Sequence, residues 1–188
     1  MPQPFISIRS ALRRFRRNRR GSAAVEFALV APVFFALLFA IIETAIIFFA
    51  GQVLETVTQD SARQIMTGQA QNAAYASGAD FKTNVVCKLV YVLFDCQNGI
   101  SVDVRSYPSF SNLNVTDPID SSKQFINDMK YCPGKDGDIV VVRLFYQWPL
   151  FVTGLGYNIA NLAGSKRLLS ATAAFKNEPF AVGGTTCS

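Results

Sequence analysis

The sequence predicts an α+β protein in which one long N-terminal transmembrane helix continues into a small antiparallel-sheet domain. Three observations carry that prediction. The 29 residues from Ser22 to Ala50 hold only two charges, Glu26 and Glu43. Beyond them the apolar residues keep helical spacing, and three later segments alternate or run apolar as strands do. The chain's 188 residues leave room for one such domain and an anchor.

The anchor comes first. At 1.5 Å per residue, Ser22–Ala50 spans roughly 43 Å as a helix, ample for a hydrocarbon core of about 30 Å. The segment before it is basic: residues 1–20 carry Arg9, Arg13, Arg14, Arg16, Arg17, Arg19 and Arg20 and no acid. The remainder has 11 Lys+Arg against 13 Asp+Glu, so the net charge of +5 belongs to this arm. A basic arm also attracts nucleic acid, but this one abuts an apolar helix and the body is not basic, so no nucleic-acid partner is expected. Arginines at one end of a span mark the cytoplasmic side, which puts everything after residue 50 across the membrane. The apolar run is too long, and too acidic at Glu26 and Glu43, for a cleaved secretory signal. The expected organisation is a basic cytoplasmic leader (1–21), a transmembrane helix (22–50), its extracytoplasmic extension (51–67) and a disulfide-bearing domain (80–188).

Within the extension Leu54, Val57, Ser61 and Ile65 share one face, Glu55, Gln59 and Arg63 another, and Gly68 follows as a C-terminal cap. Residues 68–79 read as a linker. Asp80 is placed to N-cap a helix through Phe81, Val85, Leu89 and Leu93, although 85–94 is equally rich in strand formers. Ile100–Tyr107 alternates as a half-buried strand; Ile139–Trp148 is the strongest strand, ended by Pro149; Leu168–Lys176 is the last. Between the first two strands, turn residues precede a short helical pattern at Phe125, Ile126 and Met129, and Cys132–Gly137 is a loop. Phe145, Tyr146 and Trp148 suit strand packing better than an adhesive patch.

The four cysteines, Cys87, Cys96, Cys132 and Cys187, all fall in the translocated part. An even number in an oxidising compartment suggests two disulfides, with three connectivities open; Cys87 with Cys96 closes the shortest loop, but spacing does not establish the pairing. A zinc site is disfavoured, since the chain has no histidine and no C-x-x-C pair. No metal, cofactor or small-molecule substrate is expected, and no catalytic residue: G-x-S-x-G, H-E-x-x-H and a framed phosphate loop are all missing, Gly154-Leu-Gly156 included. Asp136 and Asp138 read as a solvated loop pair.

Glu26 is the residue that asks for a reason. A carboxylate in hydrocarbon costs on the order of 2.5–3.5 kcal/mol, so it sits at the headgroup level or has a partner. Gly21 lies five residues before it. A cut after Gly21 gives Ser22 a new ammonium group, which the Glu26 of a neighbouring subunit can meet, offsetting both desolvation costs and fixing the stagger between helices.

A basic leader, Gly21, four small or apolar residues (Ser22-Ala-Ala-Val25), Glu26, the aromatic Phe27 and a long apolar helix resemble the class III prepilin pattern. The fuller string from Gly21 to Phe34 is similar to the TadE-like pseudopilins of tight-adherence (Flp) pilus systems, as are Glu43, Ala62-Arg63 and Phe175-Lys-Asn-Glu-Pro-Phe180. The resemblance implies a pilin-like fold and cleavage between Gly21 and Ser22 by a prepilin peptidase. It also implies subunit assembly through Glu26, Phe27 and Glu43, with other pilins and pseudopilins as partners. Glu43 lies near the outer interface, where a snorkelling carboxylate is the alternative to a partner helix. Phe27 stands where major pilins usually carry tyrosine, which favours a minor or assembly role in an adhesive, type IVb pilus. The implied location is the bacterial inner membrane, single-pass, with the N-terminus cytoplasmic and the C-terminal domain periplasmic. The alternative is an uncleaved, membrane-anchored periplasmic binding protein.

Overall fold

A helix of 45 residues, α1 (Ser22–Met66), dominates the computed structural model, which describes residues 21–75, 77–90, 93–153 and 157–180. The leader at 1–20, Gly154–Gly156 and Cys187 lie outside the described residues. The chain divides into two units between Ile42 and Glu43. In the first, the helix is apolar all round and its large side chains are exposed, Phe27 at 68% and Leu29 at 73%. A helix hydrophobic on every face belongs in a hydrophobic surrounding, and α1 is long and apolar enough to cross a membrane.

In the second unit the same helix becomes one-sided. Ile47, Ala50, Leu54, Val57, Ser61 and Ile65, three or four residues apart, are buried in the domain core, while Gln59 and Arg63 face out. Thr58 and Ser61 are buried with their hydroxyls donating to the carbonyls of Leu54 and Thr58, so the stripe carries no unsatisfied hydroxyl. Gly68 ends the helix at φ +76°, and a Cβ there would lie 2.6 Å from the Phe180 ring. Both the left-handed backbone and the close approach require glycine.

The segment 68–79 does more than link: it forms the short helix α2 (Gln69–Asn72) and buries Ala70. The next helix starts earlier than the sequence suggests. Ser77, not Asp80, is the N-cap; its Oγ accepts from the Asp80 N–H and donates to the Asp80 carboxylate. From there α3 (Gly78–Phe81) passes into a π-helical turn (Lys82–Val86) and α4 (Cys87–Leu89). The wide turn keeps Phe81, Val85 and Val86 all in the core. The helix stops at Leu89, before Leu93, because Val90 is extended. A disulfide joins Cys87 to Cys96, at the start of α5 (Cys96–Gly99), with Cα atoms 5.6 Å apart.

The sheet is an antiparallel meander of β1 (Ile100–Tyr107), β2 (Ile139–Pro149) and β3 (Lys166–Lys176). Central β2 is buried on both faces from Ile139 to Phe145. Val140, Val142 and Leu144 pack with α1, while Phe145 joins Leu162, Leu168 and Phe125 on the reverse. Tyr146 and Trp148 are half-buried around Phe94, ring centroids 4.9 and 6.2 Å away, which is packing and not a surface patch.

The helix suggested at Phe125–Met129 does not form. Asp117 and Asp120 take the N–H groups of Ile119, Ser122 and Gln124 into side-chain turns, and Ile119 bridges Phe125 as extended chain. Residues 130–132 then run parallel to β1 at Val104. Burial there raises the pKa of Tyr131, with the charges of Tyr75 and Asp80 acting the same way, so the phenol stays neutral.

The Cys87–Cys96 bridge closes about ten residues, worth roughly 2.5–3 kcal/mol in loop entropy. Replacing both cysteines with alanine is expected to lower the thermal midpoint by roughly 5–10 °C, read by Trp148 fluorescence in detergent.

Candidate functional site

The amino end of α1 gathers the first group of site residues. Gly21 immediately precedes the helix and is exposed, and Ser22 is its first residue. Glu26 lies on the next turn, exposed, beside the 68% exposed ring of Phe27. A carboxylate there, close behind the helix's unpaired N–H groups, is favoured by the helix dipole. Ser22 and Glu26 are one helical turn apart, so an amine on Ser22 and the carboxylate sit at the same end of the rod.

Glu43 lies 17 positions further along, about 26 Å by helical rise, so the two acids form separate sites. The structure uses Glu43 inside its own chain. The residue is 7% exposed, and its Oε1 accepts from the Phe151 N–H at 2.6 Å while Oε2 accepts from the Val152 N–H at 3.1 Å. Pro149 ends β2, Leu150 turns inward with its N–H donated to Ser165, and the chain then lies across the helix. Next to Glu43, the hydroxyl of Thr44 is hydrogen-bonded to that of Tyr157. Two points of the β2–β3 connection, Phe151–Val152 and Tyr157, are thus fastened to one turn of α1. Charge-assisted bonds to a carboxylate are worth about 1.5–3 kcal/mol each in favourable settings. Glu43→Gln keeps the shape but presents an amide N–H₂ where an acceptor is needed. It is expected to weaken the latch by about 1–3 kcal/mol and to speed proteolysis between Leu150 and Tyr157 several-fold.

A third constellation escaped the sequence reading. Asp103, fully buried on β1, receives Arg143 Nη2 at 2.7 Å and Nε at 3.0 Å, Arg105 Nε at 3.0 Å and the Lys130 N–H at 2.9 Å. Arg143 also donates to the Thr116 carbonyl and lies 5.3 Å over the Phe145 ring. Burial lowers the Arg105 pKa, but hydrogen bonds and charge from Asp103, then from Asp128, outweigh it, and the net shift is upward. A lone arginine inside Ile-Val-Val-Val-Arg-Leu-Phe145 was the available signal, since a buried strand position tolerates a guanidinium only with a carboxylate across from it. Its register partner on β1 is Asp103.

Of the cysteines, Cys87 and Cys96 are bonded to each other, and buried Cys132, whose Sγ lies 3.2 Å from Ser106 Oγ, is disulfide-bonded as well. The buried amide of Asn177 donates to the carbonyls of Pro133 and Lys135, and the adjacent Glu178 N–H donates to Met66 at the end of α1. Among the described residues no group of three or more His, Cys, Asp or Glu is placed to hold a metal ion.

Residues 21–63 match the family model described as TadE-like protein. The match opens on Gly21, takes in Ser22, Glu26, Phe27 and Glu43, and ends three residues short of the end of α1. No curated protein and no solved structure matches the chain. Over residues 21–63 the long helix with acids at its start and middle is thus similar to the TadE-like family, and α1 is a candidate single membrane span.

Proposed function

We propose that the protein is a minor pseudopilin of a Tad/Flp-type adhesive pilus, inserted with its N-terminus in the cytoplasm and cleaved after Gly21 by a prepilin peptidase. The supporting observation is that helix and family match begin together at Gly21–Ser22, with Glu26 exposed one turn in. After the cut the Ser22 ammonium of one subunit meets the Glu26 carboxylate of the next. Each charge lowers the cost of burying the other, and the pair sets the axial offset between neighbouring helices. The apolar surface between them, with Phe27 at its start, packs against other pilin helices and lipid. The domain beyond Glu43 stands on the periplasmic side, where the disulfides form, and its role is structural and not enzymatic.

Co-expression with a prepilin peptidase tests the reading. The protein should shorten by residues 1–21 only when the peptidase is active, and a bulky residue in place of Gly21 should abolish the shortening. An unprocessed protein in both arms would instead favour a permanently anchored periplasmic binding protein.

A further inference from the structure

The β2–β3 connection sets an apolar tip at a defined height on α1. Phe151 is 83% exposed, the most exposed large apolar side chain among the described residues, while its neighbour Leu150 is buried at 8%. The backbone N–H groups of Phe151 and Val152 are held by the Glu43 carboxylate, so the tip lies level with residue 43 of the helix. Phe48 and Phe49, 70% and 62% exposed, continue apolar surface outward along the same helix.

Residue 43 is at membrane height. From Ser22 to Glu43 the rise is about 32 Å, against a hydrocarbon core of about 30 Å, which places Glu43 at the outer edge of the core when Ser22 is at the inner edge. Charge follows the same axis. The connection from 150 to 165 contains no charged residue, and Lys166 and Arg167 follow it at once. The connection at the opposite end of the sheet, 108–138, carries eight charges, among them Asp117, Asp120 and Lys123. One end of the sheet is free of charge and the other is rich in it.

We propose that Leu150–Thr153 is a second membrane contact, a wedge that inserts the Phe151 ring into the outer leaflet. The proposal rests on the reading of α1 as a membrane span and adds the lipid surface as the partner of the connection. Irregular backbone at this depth must have its polar groups satisfied, and the Glu43 carboxylate does this for two N–H groups while the same bonds satisfy its own buried oxygens. The ring then anchors the domain at the interface by burying apolar area in the acyl boundary.

Single-tryptophan quenching in vesicles of phosphatidylethanolamine and phosphatidylglycerol tests this. With Trp148→Phe in the full chain, tryptophan is placed at Phe151, at Phe110 on the opposite end of the sheet, or at Phe34 within the span, using lipids brominated near the head or near the end of the acyl chain. The wedge predicts that F151W is blue-shifted and quenched by the bromine near the head, that F34W is quenched by the deeper one, and that F110W is quenched by neither. Quenching of F34W without F151W overturns the wedge and leaves the span intact; no quenching of F34W overturns the span itself. An F151W shielded from both bromine and aqueous acrylamide is covered by protein, which also overturns the proposal. If Trp148→Phe does not fold, the difference spectrum between F151W and the parent carries the same readout.

Discussion

Glu26→Ala is expected to leave cleavage and membrane insertion intact and to weaken co-assembly with partner pilins by roughly two to four orders of magnitude. The size follows from leaving one member of a desolvated ion pair alone, which costs about 3–5 kcal/mol, or roughly 10²- to 10⁴-fold in an association constant. Chemical cross-linking in membranes and the count of surface pili read it directly. Glu26→Gln separates charge from shape: it should behave like alanine, since an amide does not neutralise a partner's ammonium. The helix itself should persist, because Glu26 is one exposed side chain near the start of a 45-residue rod. Normal piliation in either variant removes Glu26 from the mechanism.

The second large effect is on stability. Asp103→Asn should cost about 3–5 kcal/mol, because Arg143 would stay buried at 6% exposure facing a neutral amide. In a domain of this size that lowers the thermal midpoint by roughly 10–15 °C. The 116–130 segment, fastened through Thr116, Asp128 and Lys130, should become the first site of proteolysis. The double replacement Asp103→Leu with Arg143→Met should destabilise less than the sum of the two singles, with a coupling of about 2 kcal/mol. Arg105 tolerates the change because it also reaches Asp128 and is partly exposed. Additive single effects would show that the two side chains do not act as a pair.

The parts of this protein that could be read from sequence are those in which a periodicity meets one continuous environment. The stripe Leu54, Val57, Ser61, Ile65 and the strand Ile100–Tyr107 were visible because one face of each packs on a core, and the strand Ile139–Pro149 because its apolar run is buried on both faces. The cap of α3 was misplaced by three residues because Ser77 and Asp80 are both good caps, and only the backbone decides which accepts. The apolar spacing at Phe125, Ile126 and Met129 suggested a helix, yet the carboxylates of Asp117 and Asp120 hold the N–H groups of Ile119, Ser122 and Gln124 in turns just before it, and Phe125 pairs with Ile119 as extended chain. Glu43 shows the limit most clearly. Its position in an apolar run marked it as exceptional, but its two N–H partners lie 108 and 109 residues away, in a loop with no signature of its own.

The sharpest measurement is the intact mass of the protein from its native membranes, taken non-reduced and reduced. The account predicts a mature chain beginning at Ser22, with a gain on reduction that corresponds to its disulfides, the Cys87–Cys96 bridge included. A precursor that still carries residues 1–21 in cells with active prepilin peptidase would contradict the pseudopilin reading, and a mass unchanged by reduction would contradict the periplasmic placement of the domain.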